Sequence, residues 1–512
     1  MIKIARACLC GSLLLACSNS NGGGGAGAGG YLNGGGLPNG GAPIGGTVGA
    51  GGAGGVGNGD GGVGNGGSAI GNGGSVVGNG GSVIGNGGTI TGNGGSVTGN
   101  GGSGNGGAGA GGGAGGGTIT SAMGCQGQNL AVVPDDTSAR GPWVVGVQTV
   151  HVPRSSAHAN ENLTIEITYP AAPGSEAGKP EATYDVRDWL PKNPTQPSNY
   201  TPIADSESPA VTPIGGNLFR GLPIDATHGP YPVIIFMHGT ASFRIASGTI
   251  QTLWASRGFV VVAADYPGLM LADQLCSAGC GCQPSGAADY PSDFQQQMSA
   301  LMSPSGELAF LAGHLDMGHV GYAGHSVGGC TVAAQAASVG AQVVIPLSSA
   351  APITAGGMIK SAMFISGMSD TVFNYASGSG LGNIVCPGAT GAVTDAYNST
   401  MLSGGEKRLV GVTNGGHLTP TDLCQKNSDG NNAIQVLHNH HWCGVDSVAV
   451  VGLPTLFDCG ANNFDWTVGV KDVGYATTAA FEEVLTCHPE RATTITNMMT
   501  AQPTIGDFKE SK

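Results

Sequence analysis

Ser326 stands between glycines in the stretch GHSVGG, residues 324–329. These residues fit the pattern G-x-S-x-G. They follow an apolar run that predicts a buried strand, Val320 to Ala323, and they precede a predicted helix, Val327 to Val339. A strand, a sharp turn and a helix in this order expose a serine hydroxyl beside the positive end of the helix dipole. Ser326 is therefore predicted to be a nucleophile.

Two residues later in the chain are of the types that a serine nucleophile needs as its base and as the acid that orients the base. Asp370 follows the predicted strand Ala362 to Ile365, and His417 follows the predicted strand Arg408 to Val412. Both therefore come at carboxyl ends of strands, as Ser326 does. The order Ser, acid, His is the order found in α/β-hydrolases. We expect a catalytic triad of these three residues.

Two backbone N–H groups are expected to form an oxyanion hole. One belongs to Val327, at the start of the helix, and the other to Thr240, in the turn after the apolar run Tyr231 to Met237. Donors of this kind stabilise the negative oxygen that develops during acyl transfer.

Other residues remain open for these roles. Two weaker candidates for the acid are Asp395 and Asp422. The histidines at 438, 440 and 441, in LHNHHWC, could mark a metal site, but they lack a strand-end position and Cys443 beside them indicates a stapled loop. His325 is expected to pack or to hydrogen-bond locally.

The order of apolar segments predicts the fold class. Strands and helices alternate, which indicates an α/β fold with a mostly parallel sheet and helices on both faces. Besides the segments above, the predicted strands are Trp143 to Val150, Leu163 to Tyr169, Phe259 to Ala264 and Gln342 to Leu347; the predicted helical segments are Ala246 to Arg257 and Asp293 to Gly313.

A glycine-rich, low-complexity tail precedes this domain. The chain has 97 glycines among 512 residues, concentrated in residues 21–117, where heptads such as GNGGSVI repeat from Gly64. The seven-residue period and the lack of Asp in the repeats predict no calcium site. We expect residues 17–121 to be a disordered tether, with a thin stacked solenoid as the alternative, and residues 122–512 to be the catalytic domain with a C-terminal extension.

The N-terminus carries export signals. Residues 1–16 have a positive start and a short apolar stretch, which is typical of a signal peptide. Leu14-Leu15-Ala16-Cys17 resembles the bacterial lipobox, so Cys17 is predicted to be lipidated, and Ser18 favours an outer-membrane or cell-surface location. An ordinary secretory peptide with a chance cysteine is the alternative.

The remaining cysteines fit export. Ten follow Cys17, an even number that indicates disulfides in an oxidising compartment. The cluster Cys276-x3-Cys280-x-Cys282 could bind metal, but disulfides are favoured because its spacing is unlike zinc modules. Cys330 is expected to be a small core residue. The net charge is −14 with no run of Lys or Arg, which argues against a nucleic-acid partner.

Several stretches resemble platelet-activating factor acetylhydrolases and their bacterial relatives in the dienelactone hydrolase-like group. They are HGTASFR (238–244), ASRGFVVVAADYPG (255–268) and GHSVGG, with GPWVVGVQTVHVP and LTIEITYPA as the entry strands; the resemblance covers most of residues 139–420. It implies an α/β-hydrolase fold and hydrolysis of short or oxidised acyl esters without metal or cofactor. By position, it implies Ser326 and His417 in the triad and Thr240 and Val327 in the oxyanion hole.

The chain departs from that group in its acid. The acetylhydrolases carry the acid after the strand that follows the nucleophile helix, whereas here that strand ends in Pro346-Leu347-Ser348-Ser349. Asp370, one strand later, matches the more usual α/β-hydrolase position. True dienelactone hydrolases use a cysteine nucleophile in place of serine.

The sequence therefore predicts an exported, lipid-anchored serine esterase that acts on a small-molecule or lipid-like ester. A polyester or cutin depolymerase is an alternative, although Ser348-Ser349 supplies no aromatic ring where polyester hydrolases place one. A surface binding protein that has kept a hydrolase scaffold is an alternative from another class, which the long repetitive tail favours.

Overall fold

The computed structural model describes residues 119–207, 213, 215–354, 356–376, 386, 388–446, 458–462 and 464–512, and the backbone of six short strands between residues 62 and 100. The expected signal peptide and the lipidation at Cys17 lie outside the described residues. The repeat strands and the globular part are separate units.

The repeat strands begin every seven residues, from Gly62–Asn65 to Val97–Asn100. Alternate strands pair in parallel, so the six form two three-stranded sheets. The register joins Val63 to Val77 and Ile70 to Ile84, fourteen residues apart in each case, so each strand pairs with the strand two heptads further on. The rest of the tail lies outside the described residues, and the tether stays a prediction.

A mixed ten-stranded sheet organises the globular part. Its strands are β1 Val145–Pro153, β2 Asn162–Pro170, β3 Leu218–Arg220, β4 Tyr231–Met237, β5 Val260–Ala264, β6 Leu315–His325, β7 Val343–Leu347, β8 Ser361–Gly367, β9 Glu406–Val412 and β10 Ile505–Ser511. Their order is β3-β1-β2-β5-β4-β6-β7-β8-β9-β10. The run from β5 to β9 is parallel, whereas β2 lies antiparallel to β1 and β5, and β10 lies antiparallel to β9. The parallel run brings the carboxyl ends of six strands to one edge.

Helices cover both faces of the sheet, as the sequence predicts. They are α1 Gly248–Ser256, α2 Leu271–Ser277, α3 Tyr290–Met302, α4 Val327–Gln335, α5 Val393–Ser399, α6 Ala433–Asn439, α7 Trp466–Leu485, α8 Arg491–Thr496 and α9 Met498–Ala501. Alternation along β4 separates the two cores: Val233 and Ile235 pack with α3, α4 and α5, whereas Ile234 and Phe236 pack with α1 and α7. Among the described residues, no helix combines the length and apolarity needed to cross a bilayer.

A smaller third core lies at the carboxyl edge. It joins Ala241 to α2 and α6 through Leu271, Leu275 and Leu437, and it contains the disulfide that links Cys280 to Cys443. This cluster, which we call the cap core, supports the loop after β4.

The elements after β9, helices α6 to α9 and strand β10, were not predicted from the sequence, and two of them show why. Helix α7 is rich in Gly, Thr and Ala and is buried around most of its circumference, so it shows little of the one-sided apolar pattern that marks a helix. Strand β10, with the sequence IGDFKES, is a largely exposed edge strand. Strand β6 also begins at Leu315, five residues before the predicted start at Val320.

All ten cysteines after Cys17 pair in disulfides. The pairs are Cys125–Cys487, Cys276–Cys282, Cys280–Cys443, Cys330–Cys386 and Cys424–Cys459. The expectation that Cys330 is an unpaired core residue is therefore wrong, because its partner lies 56 residues away in a loop that periodicity does not place.

We predict that the disulfides differ in their contribution to stability. The Cys125–Cys487 bond joins residues 362 apart, whereas the Cys276–Cys282 bond joins residues 6 apart. Closing the longer loop removes more entropy from the unfolded chain, so Cys125→Ser with Cys487→Ser should lower the free energy of unfolding by about 4–6 kcal/mol, against about 2 kcal/mol for Cys276→Ser with Cys282→Ser. Guanidinium unfolding of the two double variants measures the difference. Equal losses, or a larger loss for the short loop, would contradict this ranking.

Candidate active site

The turn at Ser326 has the strained backbone expected of a nucleophile elbow. Ser326 lies between the last residue of β6 and the first of α4, with φ 56° and ψ −122°. A non-glycine residue rarely adopts a positive φ, and such strain clusters at functional sites. The side chain is directed to the carboxyl edge of the sheet, where loops enclose it and leave the residue 2 % exposed.

Glycines around the serine allow backbone segments to touch. A methyl carbon placed on Gly328 would overlap the carbonyl oxygen of Met237 and lie 2.5 Å from that of His238, so α4 packs directly on the end of β4. One placed on Gly324 would lie 2.5 Å from the carbonyl oxygen of Gly328. These positions admit only glycine without movement of the backbone.

The structure brings the three sequence-predicted side chains together. His417 Nε2 lies 3.0 Å from Ser326 Oγ, and His417 Nδ1 lies 3.0 Å from Asp370 Oδ2. The carboxylate can only accept, so Nδ1 carries the proton and Nε2 is left to accept from the serine hydroxyl. We call this arrangement the hydrogen-bonded triad.

Asp370 is held by its own loop. The N–H groups of Val372 and Phe373 donate to Oδ1 at 2.8 and 2.9 Å, and the Ser366 hydroxyl donates to Oδ2 at 3.3 Å. These bonds satisfy a carboxylate that is 4 % exposed, and they fix the oxygen that faces His417. The Phe373 ring also packs against the imidazole, with centroids 5.7 Å apart.

His325 hydrogen-bonds locally, as expected, and its partner is the triad histidine. Its Nε2–H donates to the backbone carbonyl oxygen of His417 at 2.9 Å, and the two rings lie 4.9 Å apart. The pKa of His325 is lowered to about 3, chiefly by burial and to a smaller extent by the neighbouring His417. The ring therefore stays neutral and keeps the His417 loop against the end of β6.

The two predicted oxyanion donors belong to segments that border Ser326. Val327 follows it directly, and Thr240 belongs to the loop after β4, where a methyl carbon on Gly239 would lie 2.8 Å from Ser326 Cβ. Within the described residues, neither the Thr240 nor the Val327 N–H donates to another group of the chain. Both remain available to a bound molecule.

The loop after β4 has firm supports. His238 Nδ1–H donates to the carbonyl oxygen of Gly239 at 2.8 Å, and Nε2 accepts from the N–H of Tyr266 at 3.2 Å. Burial lowers the pKa of His238, so the ring stays neutral in this role. Ala241 adopts φ 54° and is buried in the cap core, which fixes the path of the chain just after Thr240.

The weaker acid candidates lie elsewhere. Asp395 is exposed in the first turn of α5. Asp422 is buried beside the start of α1, where its carboxylate accepts a hydrogen bond from the N–H of Thr249 at 2.8 Å. Burial raises the pKa of Asp422 to about 7. Neither residue hydrogen-bonds to His417.

The histidine cluster is spread over separate contacts. His438 pairs with Asp446 at 2.7 Å, and His440 Nδ1 lies 3.0 Å from the Thr201 hydroxyl. No group of three side chains suited to hold a metal ion occurs in the part of the chain that the structure describes.

One contact of the His417 loop was not predicted from the sequence. The N–H of Leu418 donates to the carbonyl oxygen of Asp458 at 2.9 Å, and the disulfide between Cys424 and Cys459 links the two segments. The cysteine beside Asp458 was the available signal, but the sequence does not show which cysteine it pairs with.

Comparison with known proteins agrees with the class of protein that the sheet and the triad define, a hydrolase on an α/β fold. The family model described as "Platelet-activating factor acetylhydrolase, isoform II" matches residues 216–267. This segment runs from β3 through β5 and includes Thr240 and α1. This segment is therefore similar to the platelet-activating factor acetylhydrolase group, and the similarity supports hydrolase activity. No curated protein matches the chain.

We predict that the contact between α4 and β4 is intolerant of a single methyl group. Gly328→Ala should lower the free energy of unfolding by at least about 2 kcal/mol, because the new methyl meets backbone atoms that have no rotamer to change. Gly357→Ala is the matched control, since a methyl carbon there meets nothing within 4 Å. Chemical unfolding of both variants measures the difference. A Gly328→Ala protein as stable as the control would contradict the close approach.

Proposed function

We propose that this protein is a serine esterase that hydrolyses carboxylic esters through Ser326, His417 and Asp370. The observation that carries the proposal is the pair of hydrogen bonds at His417, each 3.0 Å long, that connects the serine to the aspartate. A nucleophile, a base and an orienting acid within hydrogen-bond reach are the requirement for acyl transfer to serine. The acetylhydrolase match supports the same reaction class.

The proposed reaction begins when His417 Nε2 takes the proton of the Ser326 hydroxyl. The serine oxygen attacks the ester carbonyl carbon, and the carbonyl oxygen, now negative, accepts hydrogen bonds from the N–H groups of Thr240 and Val327. Asp370 stabilises the imidazolium and keeps its Nδ1–H in place. His417 then gives the proton to the leaving alcohol, which leaves an acyl group on Ser326.

The second half of the reaction uses the same groups. Water enters after the alcohol departs, His417 removes its proton, and the hydroxide attacks the acyl-enzyme carbonyl. Collapse of this intermediate breaks the bond between the acyl carbon and Ser326 Oγ, which takes the proton back from His417, and releases the acid. The substrate proposed is a small-molecule or lipid-like ester with a short acyl chain, which the relation to acetylhydrolases supports.

We predict that Ser326→Ala abolishes esterase activity. Turnover of nitrophenyl acetate and nitrophenyl butyrate should fall by at least about 10⁴-fold, because neither His417 nor Asp370 supplies the attacking oxygen in this mechanism. A fluorophosphonate probe should label the wild-type protein covalently and should leave the variant unlabelled. Thermal unfolding of the variant verifies that its fold is intact.

A second variant tests whether activity depends on the whole triad or only on a reactive serine. Asp370→Asn keeps the shape of the side chain but no longer fixes the imidazole tautomer, so probe labelling should persist at a much reduced rate. Full turnover by Ser326→Ala would refute the proposal. A wild-type protein that neither labels nor hydrolyses any ester would favour a surface binding protein on a hydrolase scaffold.

We also propose that the protein is exported and anchored by a lipid on Cys17, at the outer membrane or cell surface. The resemblance of residues 14–17 to a lipobox supports the anchor. The five disulfides support export, because such bonds persist in oxidising compartments.

We predict that Cys17 carries the fatty acid. In a Gram-negative host fed an alkyne-tagged fatty acid, the wild-type protein should incorporate the tag and Cys17→Ala should not, since the thiol is the attachment point. Cys10→Ala is the matched control and should label like wild type. Labelling that survives in Cys17→Ala, or a wild-type protein that takes up no tag, would exclude the anchor.

A further inference from the structure

A short C-terminal segment, Asp458–Ala461, lies against the loop that carries His417. Two backbone hydrogen bonds hold it there: the N–H of Leu418 donates to Asp458 O at 2.9 Å, and the N–H of Ala461 donates to Asn414 O at 2.8 Å. These bonds bracket His417 on both sides in sequence. The position of the histidine therefore depends on a segment about forty residues further along the chain.

The Asp458 carboxyl group lies beside the loops that carry His417 and Asp370. Its Oδ1 accepts the N–H of Gly460 at 2.8 Å, and a methyl carbon placed on Gly416 would lie 2.7 Å from its carboxyl carbon. The side chain of Thr371, the residue after Asp370, lowers the pKa of this carboxyl group. One carboxyl group thus lies beside the residue before His417 and interacts with the residue after Asp370.

Charged and titratable groups face this carboxylate from every element packed on it. Burial raises the pKa of Asp458, the Asp370 carboxylate raises it further, and the Gly460 N–H and His417 act in the opposite direction. His325 faces the other side of the His417 ring and is kept neutral by burial, as described above. Asp458 is therefore a second acidic group, besides Asp370, whose charge interacts with that of His417.

The disulfide between Cys424 and Cys459 fixes this segment. It joins the residue after Asp458 to the 3₁₀ helix Asp422–Cys424, which follows the His417 loop and is hydrogen-bonded to the start of α1 through the N–H of Asp422 and Ala246 O at 2.7 Å. The Asp458 carboxyl group, beside Gly416, thus belongs to a segment that a disulfide cross-links.

We propose that Asp458 is a positioning residue that holds the His417 loop and supplies a second negative charge to the imidazolium formed during catalysis. This inference rests on the proposed esterase function. It assigns two effects to one residue: a brace on the loop after β9, made by its backbone carbonyl and its carboxyl group, and an electrostatic contribution beyond that of Asp370.

The electrostatic effect has a defined sign. Catalysis requires neutral His417 in the free enzyme, so the acidic limb of the kcat/KM profile reports loss of the imidazolium proton. A negative Asp458 favours the imidazolium, and its removal should move that limb to lower pH by roughly half a unit to one unit. The imidazolium of the transition state loses the same support, so plateau kcat should fall about three- to tenfold. A purely structural role would lower activity without moving the limb.

The test is the pH profile of nitrophenyl acetate hydrolysis by Asp458→Asn in the full-length protein. The amide keeps an oxygen for the Gly460 N–H and removes the charge. Asp446→Asn is the matched control, because its carboxylate is 59 % exposed and pairs with His438 at the surface. If Asp458→Asn fails to fold by circular dichroism, Asp458→Ser, which also accepts from Gly460, takes its place.

The expected result is a shift of the acidic limb to lower pH, with reduced plateau kcat, in the Asp458 variant and not in the Asp446 variant. If the acidic limb of the kcat/KM profile does not move in a folded Asp458 variant, the inference is overturned, whatever the loss of kcat. An equal shift of the limb in the Asp458 and Asp446 variants also overturns it. A wild-type protein without esterase activity overturns the proposed function instead, so the two failures are distinct.

Discussion

The His417 imidazole must satisfy two hydrogen bonds at once, and the rest of the structure is arranged around that requirement. Its partners lie 91 and 47 residues earlier in the chain, so no local segment can bring them within the observed 3.0 Å. The parallel run of β6, β7, β8 and β9 does so, because the loops after β6, β8 and β9 leave the same edge of the sheet. Each loop then needs its own supports, because a shift of about 1 Å in a reacting group can cost two orders of magnitude in rate.

Those supports differ in kind from loop to loop. The serine turn is fixed by direct backbone contact, where Gly328 rests on the end of β4 and the strained φ of Ser326 is held by packing on both sides. The aspartate is fixed by two N–H groups of its own loop. The histidine loop depends on outside contacts, namely the neutral His325 ring and the peptide of Asp458. The base, which has to change charge during the proposed reaction, is thus supported by two segments from elsewhere in the chain.

Much of this arrangement can be read from the sequence. Strand β4 matches its predicted bounds, because a strand buried on both faces is a continuous apolar run between polar turns. Ser326, Asp370 and His417 stand out because each follows such a run. The C-terminal part cannot be read in this way: α7 is buried on most sides and β10 is mostly exposed, so neither has a one-sided pattern. The pairing of Cys330 with Cys386 and the approach of Asp458 to Gly416 depend on loop paths, which carry no periodic signal.

Three disulfides link the loops around the triad to other parts of the fold. They bear on the compartment in which the protein can be active. One bond begins in α4, one turn after Ser326, a second fixes the segment that braces His417, and a third lies in the cap core behind Ala241. In a reducing compartment these bonds would be lost, which would loosen the loops at the carboxyl edge and lower the stability of the whole fold. The fold and the geometry around the triad therefore both depend on oxidised cysteines. An exported location supplies that condition, which ties the proposed site of action to the proposed chemistry through a physical requirement.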